Sequence, residues 1–277
     1  MTSQAAFEAL EQVSATLGFT ERRPEALYFY RFPPPDGVAA SNVTIRAHAV
    51  KIANARPIAE KLSLDREGYA FVAHRSAVRD FRDEAQTLAL GHPEAAEIVK
   101  AATGAARVVV FDHIVRRRTG QADHTPGAPR QPVGRAHADQ TLRSGLQRVR
   151  DIMGDQAEAL LSRRAAIINV WRPIEHSARD WPLALGDASS LDPDDLMPTE
   201  QIFAHRRGET YSIAYNPAQR WVYIPDLGVD EAILIKCWDS NENVARFAPH
   251  TGFDDPTTPP GTPPRQSIEF RTLAFFD

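Results

Sequence analysis

Cysteine is almost absent from this 277-residue chain: only Cys237 is present, so no intramolecular disulfide can form and no thiolate-rich metal site can be assembled. No apolar run is long enough to span a bilayer. Met1-Thr2-Ser3-Gln4-Ala5-Ala6-Phe7-Glu8 has neither the basic start nor the apolar core of an export signal. Charge of one sign is scarce too, since 32 basic and 36 acidic side chains leave a net charge of −4 with no long block of either kind. That balance argues against a duplex-binding footprint, and Arg116-Arg117-Arg118 and Arg163-Arg164 read as solvated element ends. A glycine-rich phosphate loop, an ordered Ser-His-Asp set and a Cys-His pair are missing as well. These absences predict a soluble, cytoplasmic protein that binds neither nucleic acid nor membrane; any self-association is expected to give a homodimer.

With 43% hydrophobic residues the chain can bury a sizeable core. One domain spanning 1–277 is expected, with N-terminal additions over 1–106 and the core over 107–277. Phe7, Leu10, Val13 and Leu17 stand at helical spacing and predict an amphipathic outer helix to about residue 20. Alternation over 42–54, with Val43, Ile45, Ala47 and Ala49 on one face, predicts a strand. A short strand near 69–73 is followed by helical segments around Phe81, Ala85 and Leu88 and over 93–102, where Pro93 suits a first turn. Val108-Val109-Val110-Phe111 marks a buried strand, and the loop 120–134 is a candidate lid. Leu142, Leu146, Val149 and Met153 predict a helix that Gly154 breaks, before a second short helix ends near Arg163. From Ala165 onward short strands repeat, over 167–171, 183–185, 210–214, 221–224, 233–237 and 267–276, separated by turns such as Asn216-Pro217 and Pro225-Asp226. The fold class predicted is mainly β with flanking helices (α+β), a jelly-roll of two facing sheets with the helices outside one of them.

The chemistry centres on His137-Ala138-Asp139. On a strand, side chains two apart share a face, so His137 and Asp139 can reach one metal while Ala138 points away. A third ligand from a distant strand would complete a facial triad, leaving the opposite positions open for a co-substrate and oxygen on non-haem Fe(II). Structural zinc sites are normally closed. His92-Pro93-Glu94 repeats the spacing, but its proline and alanine-rich continuation place it at a helix start, where Glu94 complements the dipole. His176, His205 and His250 are the candidates for the third ligand. His250 is preferred because it precedes the last strand, so that the last two strands would carry ligand and anion clamp side by side; His176 and His205 lie in polar stretches and read as surface residues.

On that last strand Arg265, Ser267, Glu269 and Arg271 share one face, and Ile268, Phe270, Ala274 and Phe276 the other. If the polar face lines a cavity, an arginine can grip a dicarboxylate by paired hydrogen bonds, with the serine hydroxyl on the same oxygen. If the strand is an edge, the charges lie in water and Glu269 pairs with an arginine; the pattern allows both. Asn169-Val170-Trp171-Arg172-Pro173 offers a second wall. Asn169 and Trp171 share a face, and Arg172 joins them only if the strand bulges before Pro173. Otherwise Trp171 is packed and Arg172 solvated.

An ordered series of segments resembles the AsaB-type hydroxylase/desaturase family, which includes the fungal gibberellin desaturase and the oxygenase component of cephalosporin 7α-methoxylation. The segments are Phe111-Asp112-His113-Ile114-Val115-Arg116-Arg117, His137-Ala138-Asp139-Gln140-Thr141, Asn169-Val170-Trp171-Arg172-Pro173-Ile174, Pro182-Leu183-Ala184-Leu185, Leu234-Ile235-Lys236-Cys237-Trp238-Asp239-Ser240, Pro249-His250, and Pro264-Arg265-Gln266-Ser267-Ile268-Glu269-Phe270-Arg271. The resemblance implies a double-stranded β-helix oxygenase that uses Fe(II), 2-oxoglutarate and dioxygen to hydroxylate or desaturate a small molecule, often in secondary metabolism. It implies His137, Asp139 and His250 as iron ligands. Arg265 and Ser267 resemble the pair that binds the distal carboxylate of 2-oxoglutarate, with Arg271 as the competitor, because Arg265 follows His250 by a longer, proline-rich gap than is usual. Asn169, Trp171, Arg172 and Tyr215 are the expected substrate contacts, for a polar or carboxylated molecule with apolar bulk. A metal-dependent enzyme without 2-oxoglutarate and a non-catalytic partner of a tailoring enzyme are the competing readings.

Overall fold

Period-two burial overrides helical spacing at the start of the chain. In the computed structural model, which describes residues 7–119 and 130–277, the expected N-terminal helix is strand β1 (Gln12–Thr20). It runs antiparallel to β3 (Ile45–Asn54), with Gln12 opposite Ala53 and Thr20 opposite Ile45. Val13 and Leu17 fit a helix, but together with Ala15 and Phe19 they also fit every second position, and all four are buried. With a partner strand available, Val, Thr and Phe favour the extended form. On β3 the predicted alternation holds, yet Ile45, Ala47 and Ala49 face solvent and Ile52 is buried.

Between these lies β2 (Leu27–Tyr30), and β4 (Tyr69–Ala73) follows. The short α1 (Glu84–Gln86) passes through a π turn into α2 (His92–Thr103), then β5 (Arg107–Arg117), β6 (His137–Ala138), α3 (Leu142–Met153) and α4 (Ala157–Leu161). The remaining strands are β7 (Ala165–Pro173), β8 (Leu183–Gly186), β9 (Leu196–Ile202), β10 (Arg207–Ile213), β11 (Trp221–Tyr223), β12 (Glu231–Asp239), β13 (His250–Gly252) and β14 (Gln266–Phe275). Most of the predicted lid, 120–129, lies outside the described residues.

The strands form a nine-stranded sheet, β1-β3-β11-β8-β13-β6-β10-β9-β2, and a five-stranded sheet, β4-β12-β7-β14-β5. Leu17, Phe19, Ile52, Leu185 and Trp221 of the first meet Tyr69, Ile167, Trp171, Ile235 and Trp238 of the second in one apolar core, which makes the fold a jelly-roll. On the outer face of the smaller sheet Ile168, Val170, Leu234, Ile268 and Phe270 pack against Ala95, Ile98 and Val99 of α2. β14 is flanked by β7 and β5, so it is not an edge. β13 and β14 belong to different sheets, so the predicted ligand His250 and the predicted clamp Arg265 come from facing sheets and do not lie side by side as expected.

The prediction that the helices lie outside one sheet holds for α2 and fails for α3. Leu146, Val149 and Met153 of α3 join the main core, and the helix touches β10 of one sheet and β12 of the other. Thr141 and Ser144 close a reciprocal capping box at its start. Gly145 lies in its first turns because a Cβ there would come within 2.3 Å of Trp238 Cγ. Gly145→Ala, a change that stabilises most helices, is therefore expected to cost this protein about 1–3 kcal/mol by overpacking, read as a lowered midpoint in thermal or urea unfolding.

Candidate metal centre

Strand register brings the predicted ligands together. β13 pairs antiparallel with β6 on one side and β8 on the other, with His250 directly opposite His137 and also opposite Leu185. Asp139 follows at the end of β6, two residues from His137, and Ala138 is turned into the core. One donor atom from each of His137, Asp139 and His250 lies within 4.8 Å of the others. The imidazole centroids are 4.5 Å apart, and His137 Nε2 is 3.5 Å from Asp139 Oδ1.

The backbone fixes the tautomers. His137 Nδ1 donates to the Arg135 carbonyl at 2.9 Å, and His250 Nδ1 donates to the Ala248 carbonyl at 3.1 Å. A carbonyl only accepts, so Nδ1 carries the proton in each ring and Nε2 keeps the lone pair a metal needs. Asn169 Nδ2 donates to Asp139 Oδ2 at 2.7 Å, leaving Oδ1 on the histidine side. Burial, then the proximity of His250, pushes the His137 pKa down, towards the neutral form that ligates. Burial raises Asp139, but the neighbouring His137, His250 and Arg271 side chains outweigh it and hold the carboxyl well below its usual range. Two imidazoles and one carboxylate suit ferrous iron with open positions. His176 and His205 lie outside this cluster: His176 bonds the Ser177 carbonyl, and His205 is exposed.

Arg265, at the entry to β14, is buried, and its guanidinium lies 5.4 and 5.7 Å from the rings of Trp171 and Trp181. Nη1 donates to the Trp181 carbonyl at 2.7 Å, but Arg265 Nε and Ser267 Oγ are buried without a partner. Burial, with Arg116 adding and Asp180 opposing, pushes this guanidinium down to about 9. An uncompensated buried cation beside an orphaned hydroxyl fits the terminal carboxylate of a keto diacid. Arg265 reaches the sheet that carries His137 and His250, since a Cβ on Gly252, two residues from His250, would stand 3.3 Å from Arg265 Nη1. Arg271 differs. Its Nε donates to Glu269 and its Nη1 to Asp112, each at 3.1 Å, so it is already satisfied.

The expected substrate contacts divide. Asn169 supports Asp139 and lines the cavity, and Trp171 covers Arg265. Arg172 lies on the other face, where Nη1 bonds His74 Nδ1 at 3.2 Å, because β7 pairs with β14 through Pro173 without a bulge. Tyr215 stacks on His48 at 4.0 Å, away from the cavity lining. Sequence reasoning missed the arginines that line a cavity of about 560 Å³ beside His137 and Asp139, among them Arg31, Arg116, Arg135 and Arg148. Only Arg135 carried a local signal, its place two residues before His137.

A sequence profile described as an oxidoreductase/YMDC permease-like domain matches residues 17–275. Hydroxylase/desaturase CTB9 of Cercospora beticola is 31% identical over 293 residues, covering 92% of this chain and 89% of its own. The chain belongs to the AsaB-type family of iron- and 2-oxoglutarate-dependent hydroxylases and desaturases. Fe(II)/2-oxoglutarate-dependent dioxygenase nvfI of Aspergillus novofumigatus is 29% identical over 258 residues, 91% of each chain. The solved structure of the iron and alpha-ketoglutarate-dependent endoperoxidase NvfI superposes with a TM-score of 0.87 at 28% identity, over 96% of this chain and 98% of that one. No described helix is long and apolar enough to cross a membrane.

Anaerobic titration with Fe(II) is expected to show one tight site that His137→Ala abolishes. Asn169→Ala, which keeps all three donors but frees Asp139 Oδ2, is expected to weaken metal binding about 10–100-fold. Unchanged affinity in His137→Ala would place the metal elsewhere.

Proposed function

We propose that residues 1–277 act as one oxygenase unit of secondary metabolism in which His137, Asp139 and His250 hold Fe(II) and Arg265 with Ser267 grips the distal carboxylate of 2-oxoglutarate. The pairing of an open three-donor cluster with a buried, unpartnered Arg265 Nε and Ser267 Oγ across the barrel carries this reading. When bound, iron and 2-oxoglutarate use dioxygen to supply the oxidising power that removes hydrogen from an unactivated C–H bond.

The chain's own residues prepare that chemistry. The Arg135 and Ala248 carbonyls fix both imidazoles, and Asn169 fixes the carboxylate, so the donors need no reorganisation on loading. Trp171 and Trp181 cover the Arg265 guanidinium and keep water from it. The cavity beside His137 and Asp139 takes the small-molecule substrate, with Phe111, Val133 and Ile167 for its apolar part. Hydroxylation and desaturation differ in whether a second hydrogen is within reach, which the substrate's seat in this cavity decides. Cys237 is a free buried thiol 3.7 Å from Asp139 Oδ2. Burial, then the Asp139 charge, pushes its pKa well above the ordinary value, and such an inert thiol suits a reducing, cytoplasmic setting.

Arg265→Gln is expected to weaken 2-oxoglutarate binding by about two orders of magnitude in the anaerobic iron complex, read from its visible charge-transfer band, with a smaller loss for Ser267→Ala. Loss of the band in Arg271→Gln with full retention in Arg265→Gln would transfer the clamp to Arg271.

A further inference from the structure

The wall of the cavity holds more positive charge than the cofactors can use. Arg31, Arg116, Arg130, Arg135, Arg148 and Arg206 line it, and among the described residues none of the six is ion-paired with a carboxylate. They come from separate places: Arg31 follows β2, Arg116 belongs to β5, Arg130 bridges to Arg116, Arg135 precedes β6, Arg148 is on α3 and Arg206 precedes β10.

The carboxylates of the same wall do not balance this charge. Asp112 pairs with Arg271 and Glu209 with Arg143, while Asp151 accepts from the neutral Gln147 at 2.7 Å and offsets only one of the six, Arg148. Asp139 belongs to the metal. Loading the centre does not relieve the imbalance: the charges of the ferrous ion, Asp139, the keto diacid and Arg265 cancel. Like charges held this close around a partly enclosed space repel, and they are tolerated where a bound anion compensates them.

Arg135 is the sharpest case. Its guanidinium carbon lies 4.4 Å from the Phe29 ring centroid, and Nη1 is buried without a hydrogen-bond partner. Arg31 flanks the same ring at 5.6 Å, and its Nε donates to the neutral Gln201. Phe111, Val133, Ile167 and Phe203 line the rest, so an apolar skeleton can sit beside the charged end.

We propose that this cavity takes a small molecule bearing a carboxylate or a phosphate ester, gripped by Arg135 with Arg31 beside it, while the rest of the skeleton lies towards the metal. The proposal rests on the oxygenase reading above. It locates the anion's recognition in residues other than Arg172 and Tyr215, which lie outside this cavity. The space of about 560 Å³ suits a metabolite and not a polymer.

The test is calorimetry on the anaerobic iron-loaded protein with 2-oxoglutarate saturating, so that the Arg265 clamp is filled before the probes are added. Two matched pairs serve, phenylacetate against phenylacetamide and phenyl phosphate against phenol; the pair with the larger gap separates carboxylate from phosphate recognition. The anion of at least one pair is expected to bind about tenfold or more tighter than its neutral partner. Arg135→Gln is expected to remove most of that preference, Arg135→Lys to restore part of it, and Arg31→Gln, at an exposed position, to reduce it without disturbing the fold. Equal affinities within both pairs, no binding of either anion up to about 10 mM, or a preference untouched by Arg135→Gln and Arg31→Gln overturns the proposal. Failure of the cofactor reading is separate: it shows as no charge-transfer band in the unaltered protein before any probe is added.

Discussion

The cross-strand pair His137–His250 is the constraint on which the site depends. Side chains alternate along a strand, so slipping β13 by one residue would turn His250 to the opposite face and dissolve the donor cluster. Neither strand could hold that register alone, since β6 has two residues and β13 three. Their neighbours hold it: Tyr211 and Ser212 of β10 pair with Ala138 and His137, while Leu183 to Leu185 of β8 pair with Gly252, Thr251 and His250. Val133 adds a carbonyl that accepts from Gly252 N at 3.0 Å.

Around this pair the fold keeps groups that oppose its own stability. The unpartnered Arg265 Nε and Ser267 Oγ, the Arg135 Nη1 against Phe29 and the cavity guanidiniums that lack a carboxylate partner among the described residues each carry a desolvation or repulsion cost. The two-sheet core and the second apolar layer under α2 offset these costs. Arg135 Nη1, Arg265 Nε and Ser267 Oγ are three unpartnered groups that a bound ligand would complete, whereas others, such as Trp221 Nε1 and Trp238 Nε1, lie elsewhere in the core.

How much of this the sequence disclosed follows from the range of the interactions. The strand-rich second half, the helix after Asp139 and the pairing of His137 with Asp139 rest on local periodicity, which a sequence displays directly. His250 could be singled out because it precedes the last strand, but its partner strand could not, and ligand and clamp were expected in neighbouring strands instead of facing sheets. β1 was misread because Val13 and Leu17 satisfy both periods, and only the presence of β3 decides between them. Arg172 was assigned to the site on the assumption of a bulge that regular pairing with β14 excludes. The cavity arginines were invisible as a set because they converge from scattered elements; burial and the lack of partners are properties of the folded chain alone.

Diffraction at the iron absorption edge, from crystals grown without oxygen in the presence of Fe(II) and 2-oxoglutarate, tests the central claim most directly. A single anomalous peak within bonding distance of His137 Nε2, His250 Nε2 and Asp139 Oδ1, with the far carboxylate of the keto acid on Arg265 and Ser267, is the predicted result. A peak held by any other set of side chains, or none in crystals whose protein retains this fold, would contradict it.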